Sequence, residues 1–134
     1  MARNCGSKNN RELLIEDMIN AITEFSNSSS QTLRIDALSE CLHNAEVPSN
    51  IDLDDKNAIM KQYLFYFAFE NQCEEDYITE KLWGPLEAGT IPVYFGAPNI
   101  IDHVPNHSII NVFDFNTTIE LIEYLIQEIG RAHV

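Results

Sequence analysis

Residues 63–69 read YLFYFAF and stop abruptly at Glu70-Asn71. Seven residues this apolar, followed by the acidic stretch Gln72 to Asp76, read as a strand buried on both faces, the signature of a parallel sheet. The pattern repeats downstream. Residues 77–88 read as a helix, capped by Asp76 and stopped by Gly89. Thr90 to Phe95, TIPVYF, is a second buried strand, broken by Gly96-Ala97-Pro98. Ser108 to Phe113 supplies a third, with Ile109, Ile110 and Val112. Asn116 or Thr117 caps a last helix whose apolar face is Ile119, Ile122, Tyr124, Leu125 and Ile129.

Upstream, residues 10–25 read as a helix with Leu14, Met18 and Ile22 on one stripe, and Asn9 or Asn10 is its candidate N-cap. Ser26 to Gln31 is a polar loop, and Thr32 to Asp36 alternates as a short strand would. Residues 39–53 read as a loop, after which Asp54 or Asp55 caps a short helix through Ile59 and Met60. Strands alternating with helices predict an α/β fold: a parallel sheet with helices on both faces. Such sheets take ligands at the carboxyl ends of their strands. The most apolar strand delivers Glu70 and Asn71 to that rim.

Composition narrows the function classes. The chain has 134 residues, enough for one small domain, and 45 % of them are hydrophobic against 22 % charged, which is globular and not disordered. Eight basic against 21 acidic residues give a formal charge of −13, so a nucleic-acid surface is excluded as an expectation. No apolar run is long enough to span a bilayer, and the N-terminus, MARNCGSKNNRELL, predicts neither a signal peptide nor an anchor. Cys5, Cys41 and Cys73 are too few for a disulfide scaffold and lack zinc spacing; a single pair with one free thiol and three free thiols both remain open. Three sequons, at Asn27, Asn106 and Asn116, are candidate N-glycosylation sites and favour a secretory-pathway reading. His43, His103, His107 and His133 show no ligand spacing and receive no role. Trp83 reads as a core residue.

The chemistry concentrates in FAFENQCEEDYITEK, residues 67–81. Helical spacing from Tyr77 sets Tyr77, Glu80 and Lys81 on one face at a helix start. Unpaired N–H groups there carry partial positive charge and suit an anion, and Lys81 adds a full charge. Asn71 offers donor and acceptor together, and Glu80 can accept paired hydrogen bonds from sugar hydroxyls. The plain alternative is an exposed Glu-Lys pair, a core tyrosine and a turn asparagine.

FAFEN, YITEKLW and AGTIPVYFGAPNI, in this order, closely resemble the donor-binding half of the α-1,3-fucosyltransferases, glycosyltransferase family 10. The resemblance begins near Asn4-Cys5-Gly6 and Arg11 and resumes from Tyr63 to the last helix, whereas the ending GRAHV does not resemble the family. It implies a Rossmann-like domain over residues 1–134, one half of a GT-B fold, with the N-terminal acceptor domain, stem and membrane anchor absent. It also implies GDP-fucose as donor, with Arg11 and Lys81 on the diphosphate and Asn71, Tyr77 and Glu80 completing the nucleotide-sugar contacts. The implied reaction is an inverting transfer of L-fucose in α-1,3 linkage to a glycan acceptor, with its general base in the missing domain. No catalytic residue is therefore assigned here, no metal or other cofactor is expected, and Asp52-Leu53-Asp54 reads as a solvated run or helix cap despite its DxD form. The same resemblance implies a Cys5–Cys41 disulfide, a free thiol at Cys73, a pocket-closing turn at Pro98-Asn99, and a type II membrane protein of the Golgi lumen, bound to membrane only through the missing anchor. The family's strand leading into Asn4 is expected to be lacking, which would expose a sheet edge. Two alternatives stand beside this reading. One is a catalytically inactive partial product. The other is a small acidic βα interaction module of receiver type, disfavoured because no lysine follows Lys81 and no acidic pair follows an early strand.

Overall fold

The computed structural model describes residues 6–28, 33–38, 44–47, 49–52 and 54–132. Helix α1 spans Arg11–Ser28 and α2 spans Lys56–Met60; β1 is Phe65–Phe69, α3 is Glu80–Ala88, β2 is Ile91–Phe95, β3 is Ile110–Asn111, and α4 is Thr118–Ala132. Short 3-10 turns cover Ile100–Asp102 and Val112–Asp114. The strands form one parallel sheet in the order β1-β2-β3, with Phe67 opposite Val93 and Val93 opposite Ile110.

Because successive strand side chains point to opposite faces, the aromatic run of β1 serves two cores. Phe65, Phe67 and Phe69 join Val93 and Phe95 against Met18 and Ile22 of α1 and Leu121, Ile122 and Leu125 of α4. Tyr66, Ala68 and Tyr94 face the other way, against Leu82 of α3 and Ala97 and Ile100 beyond β2. The parallel sheet with helices on both faces is thus present. No helix among the described residues is long and apolar enough to cross a membrane.

Several boundaries differ from the sequence reading, each for a physical reason. Helix α3 begins at Glu80, not Tyr77, and its N-cap is Thr79, whose hydroxyl accepts from the Lys81 amide at 3.3 Å. Asp76 does not cap it. Its backbone is left-handed, φ 63°, and its carboxylate is taken by Asn99 Nδ2 at 2.8 Å and His103 Nε2 at 2.9 Å. His103 therefore has a partner that its spacing did not reveal. Gly89 ends α3 as expected, at φ 81°.

Helix α1 runs on through Ser28, three residues past its expected end, so Asn27 and the start of the expected polar loop are helical. At its other end Asn10 is left-handed, φ 56°, and the Arg11 amide donates to Ser7 Oγ at 3.1 Å and Asn9 Oδ1 at 3.3 Å. Residues 33–38 carry no strand. Asp36 instead accepts from the Tyr63 hydroxyl at 2.7 Å and pairs with Arg34 at 3.0 Å. Strand β3 is only two residues long, because Asn111 Oδ1 accepts from the Phe113 amide and turns the chain. Asp55, not Asp54, caps α2, its Oδ1 accepting from the Ala58 amide at 3.0 Å. Asp52 Oδ1 accepts from the Asp54 amide at 2.9 Å, a local turn in keeping with the solvated reading. Thr117 caps α4 through the Glu120 amide at 3.1 Å. Trp83 is 44 % exposed and does not belong to the core, since the helix turns it away from Leu82. Leu53, Cys5, Cys41, His43 and His133 lie outside the described residues, so the expected disulfide does too.

Candidate functional site

The carboxyl end of β1 is bound to a segment nearly sixty residues upstream. The carbonyl of Phe69 accepts from Arg11 Nη1 at 2.8 Å, that of Glu70 from Asn9 Nδ2 at 3.0 Å, and that of Asn71 from the Lys8 amide at 3.1 Å. Three successive rim carbonyls, which a sheet edge would leave to solvent, are thereby satisfied. Asn9 Nδ2 also lies 3.4 Å from Cys73 Sγ, and Cys73 is a free, half-buried thiol.

Glu70 was brought to the rim by the sequence reading but given no role. It is 0 % exposed, and an unpaired carboxylate would not stay charged there. Its oxygens accept from the Thr79 amide at 2.7 Å and the Thr79 hydroxyl at 2.6 Å, with the Tyr94 hydroxyl 3.4 Å away and Lys81 Nζ at 3.9 Å. The Tyr94 hydroxyl in turn accepts from the Ala97 amide at 3.1 Å. The Tyr94 phenol is pushed up to about 12, chiefly by burial, with the Glu70 charge adding to it. Gly96 makes room for this packing: a Cβ there would lie 2.5 Å from Glu70 Cγ and 2.6 Å from the Tyr94 hydroxyl. The only advance signal of Glu70 was the abrupt change from apolar strand to charge, which equally marks a solvated turn.

The expected site residues fall into two groups. Arg11, 2 % exposed, and Lys81 line one cavity of about 290 Å³, whose other walls are mainly apolar side chains of α1, β1 and α4. Burial lowers the pKa of Arg11, against the raising influence of Glu12, Glu70 and Tyr77. Lys81 also borders a second depression of about 230 Å³, shared with Glu80, Tyr66 and Lys56. The Glu80 side chain is 78 % exposed, with Oε1 3.9 Å from Lys81 Nζ. Asn71 and Tyr77 stand on the loop between β1 and α3, and neither lines these two cavities. Tyr77 precedes the helix, so helical spacing does not align it with Lys81; its carbonyl lies 3.4 Å from the Tyr94 hydroxyl. Asn71 Oδ1 is buried with no hydrogen-bond partner among the described residues. Asn99 holds the turn after β2 to Asp76, its Oδ1 accepting from the Asp76 amide at 3.0 Å.

A charged rim at the carboxyl ends of a parallel sheet fits many ligands, and the relatives narrow the choice. Residues 1–131 match the family described as glycosyltransferase family 10 (fucosyltransferase), C-terminal part. The chain belongs to that family. The match begins at residue 1 and extends through Gly130 and Arg131, beyond the limits that the sequence blocks suggested at either end. A GDP-fucose protein O-fucosyltransferase 3 from Gallus gallus is 48 % identical over 100 residues, which is 69 % of this chain and 21 % of that protein. The proteins of the same name from Xenopus laevis and Homo sapiens are 46 % and 42 % identical over the same shares. The family 10 chain thus spans about a fifth of the length of these relatives. An α1,3-fucosyltransferase crystallised with GDP-fucose superposes with a TM-score of 0.67 at 24 % identity, over 91 % of this chain and 32 % of that one. A further α1,3-fucosyltransferase structure gives 0.59 at 28 % identity, over 81 % and 29 %. The α/β architecture is accordingly that of a fragment of a GT-B fucosyltransferase.

Proposed function

We propose that residues 1–134 are the donor-binding part of a fucosyltransferase that uses GDP-fucose, working with a separate acceptor-binding domain. The observation that carries this reading is the shared cavity: Arg11 and Lys81, the two cations assigned to a diphosphate, border the same space beside the α3 N-terminus. In the proposed reaction an acceptor oxygen attacks the anomeric carbon of fucose, the bond to the β-phosphate breaks with inversion, and GDP leaves with the electron pair. The acceptor proton passes to a carboxylate of the other domain; Glu70, Glu74 and Glu75 are not assigned that role. Charge developing on GDP is met by Arg11 and Lys81, which supply the stabilisation without a metal. A preorganised donor of this kind is worth about 3–4 kcal/mol of barrier. Asn71, with its idle Oδ1, is the proposed polar contact to the nucleotide-sugar, and Tyr77 and Glu80 complete the set.

The acceptor divides into two readings. The curated relatives, at 42–48 % identity, are named for protein O-fucosylation, which favours a protein hydroxyl. The superposable structures are α1,3-fucosyltransferases at 24–28 % identity, which keeps an α-1,3 linkage to a glycan as the second reading. Either belongs to a Golgi-lumenal type II enzyme, and the exposure of Asn27, Asn106 and Asn116 is compatible with glycosylation there. Titration calorimetry of the chain with GDP tests the donor reading. Binding is expected, and Lys81→Ala should weaken it about tenfold or more, since a hydrogen bond to a charged group contributes about 1.5–3 kcal/mol. A folded chain that releases or absorbs no heat with GDP would refute it.

A further inference from the structure

Glu70 has no part in the transfer just described, yet it is the most completely enclosed charge at the rim. Capping alone does not account for it. Thr79 already caps α3 with its own hydroxyl, which accepts from the Lys81 amide at 3.3 Å, and a neutral amide at position 70 would still accept one of the two bonds that Thr79 donates. What needs a full charge is the approach to Lys81. The carboxylate reaches that residue at both ends: through Thr79 Oγ1, bonded at 2.6 Å, to the Lys81 amide, and directly, at 3.9 Å, to its ammonium. At 3.9 Å the ammonium is held by charge and lies beyond hydrogen-bond distance, so it can turn to an incoming oxyanion without first breaking a short bond. Tyr94 and Gly96 fix the carboxylate from the β2 side, so Glu70 itself has no room to follow.

We infer that Glu70 is a positioning residue for Lys81, orienting the backbone and the cation of that lysine toward the anionic group of a nucleoside diphosphate. This rests on the donor-binding reading, and the test separates the two. In the 134-residue chain, GDP affinity, the unfolding midpoint and acylation of Lys81 by an amine reagent, read by mass spectrometry, are measured for wild type, Glu70→Gln, Lys81→Ala and the double variant. Glu70→Gln is expected to weaken GDP binding about tenfold, raise Lys81 acylation several-fold, and add nothing once Lys81 is alanine. A residue that only supports the fold would lower the midpoint while leaving the GDP affinity and Lys81 acylation of the folded protein unchanged; that result, or additive effects of the two substitutions, overturns the inference. If wild type binds no GDP, the donor reading falls and Lys81 acylation alone decides the role of Glu70. Should Glu70→Gln not fold, Thr79→Val removes the hydroxyl bridge; a rise in Lys81 acylation upholds the inference and an unchanged rate refutes it.

Discussion

The rim around Glu70 and the flank along β1 are built on opposite terms. At the rim, Glu70 is bonded to Thr79 at 2.6 Å and Tyr94 to Ala97 at 3.1 Å, the Tyr94 hydroxyl lies 3.4 Å from Glu70, and Gly96 leaves no room for a single added carbon. Along the flank, Ile15, Ile22, Phe67, Ile122 and Leu125 border an open space of about 290 Å³. Both regions belong to the same sheet, and Phe69 and Glu70 are neighbours in sequence. This chain fills its space where polar groups dictate geometry, and leaves space between mainly apolar walls that Arg11 and Lys81 border.

The comparison can be broken by substitution. Leu82, 0 % exposed on the rim side, should cost about 4 kcal/mol as Leu82→Ala, because close packing prevents the site from collapsing. Leu125, 4 % exposed on the flank side, should cost about 2 kcal/mol as Leu125→Ala, since it already borders a void into which neighbours can move. Denaturant unfolding of the two variants checks the order, and a larger loss at Leu125 would reverse the contrast. Gly96→Ala sharpens it further. The added methyl meets Glu70 Cγ at 2.5 Å, so overpacking of about 1–3 kcal/mol is expected, and GDP affinity should fall with it if the rim is the site.

The rim also carries the smaller, pH-dependent effects. The Tyr94 phenol, raised from 10.0 to about 12, binds its proton more tightly when folded. Its contribution to stability is complete below pH 10 and is lost as pH rises through about 12. Thermal unfolding followed up that range should show a smaller loss in Tyr94→Phe than in wild type, the remainder coming from Tyr63 and Tyr66. Tyr63 is likewise raised to about 12, chiefly by burial and then by its bond to Asp36, so tyrosinate absorbance should retain a second late component in Tyr94→Phe. The smallest effect is expected at Asp76. Hydrogen bonds from Asn99 and then His103 lower its pKa, so its contribution is present above the ordinary carboxylate range and fades as pH falls below it. Protection of the Asp76 amide, which donates to Asn99, should fall in acid relative to its intrinsic exchange rate, and Asp76→Ala should lower the protection of that amide at neutral pH.

The strands β1 and β2, the helices that cover them and the Gly89 stop were legible because burial and turn chemistry act within a few residues. Asp76 looked like a cap because Asp before a helix usually is one; its real partners, Asn99 and His103, lie more than twenty residues away and leave no local mark. The alternation of residues 33–36 promised a strand, but a strand needs a neighbour, and Asp36 found Tyr63 instead. Trp83 was misplaced by its size, which suggests burial, whereas the face of α3 is set by Leu82. Within the candidate site, Arg11 and Lys81 were singled out through family wording, and Lys81 through its place at a helix start as well. Glu70 was placed at the rim without a role because nothing in the letters distinguishes a carboxylate that turns outward from one enclosed by Thr79 and Tyr94.

The bond from Arg11 to the Phe69 carbonyl spans 58 positions of chain. The β1–α3–β2 unit, by contrast, closes within residues 65–95. Closing the longer loop costs about 0.6 kcal/mol more per doubling of its length, a small entropic penalty that falls on the contact of α1 with the sheet and spares the crossover. The guanidinium that borders the cavity is thus held by the longer closure, and the parallel pairing of β1 with β2 does not depend on it.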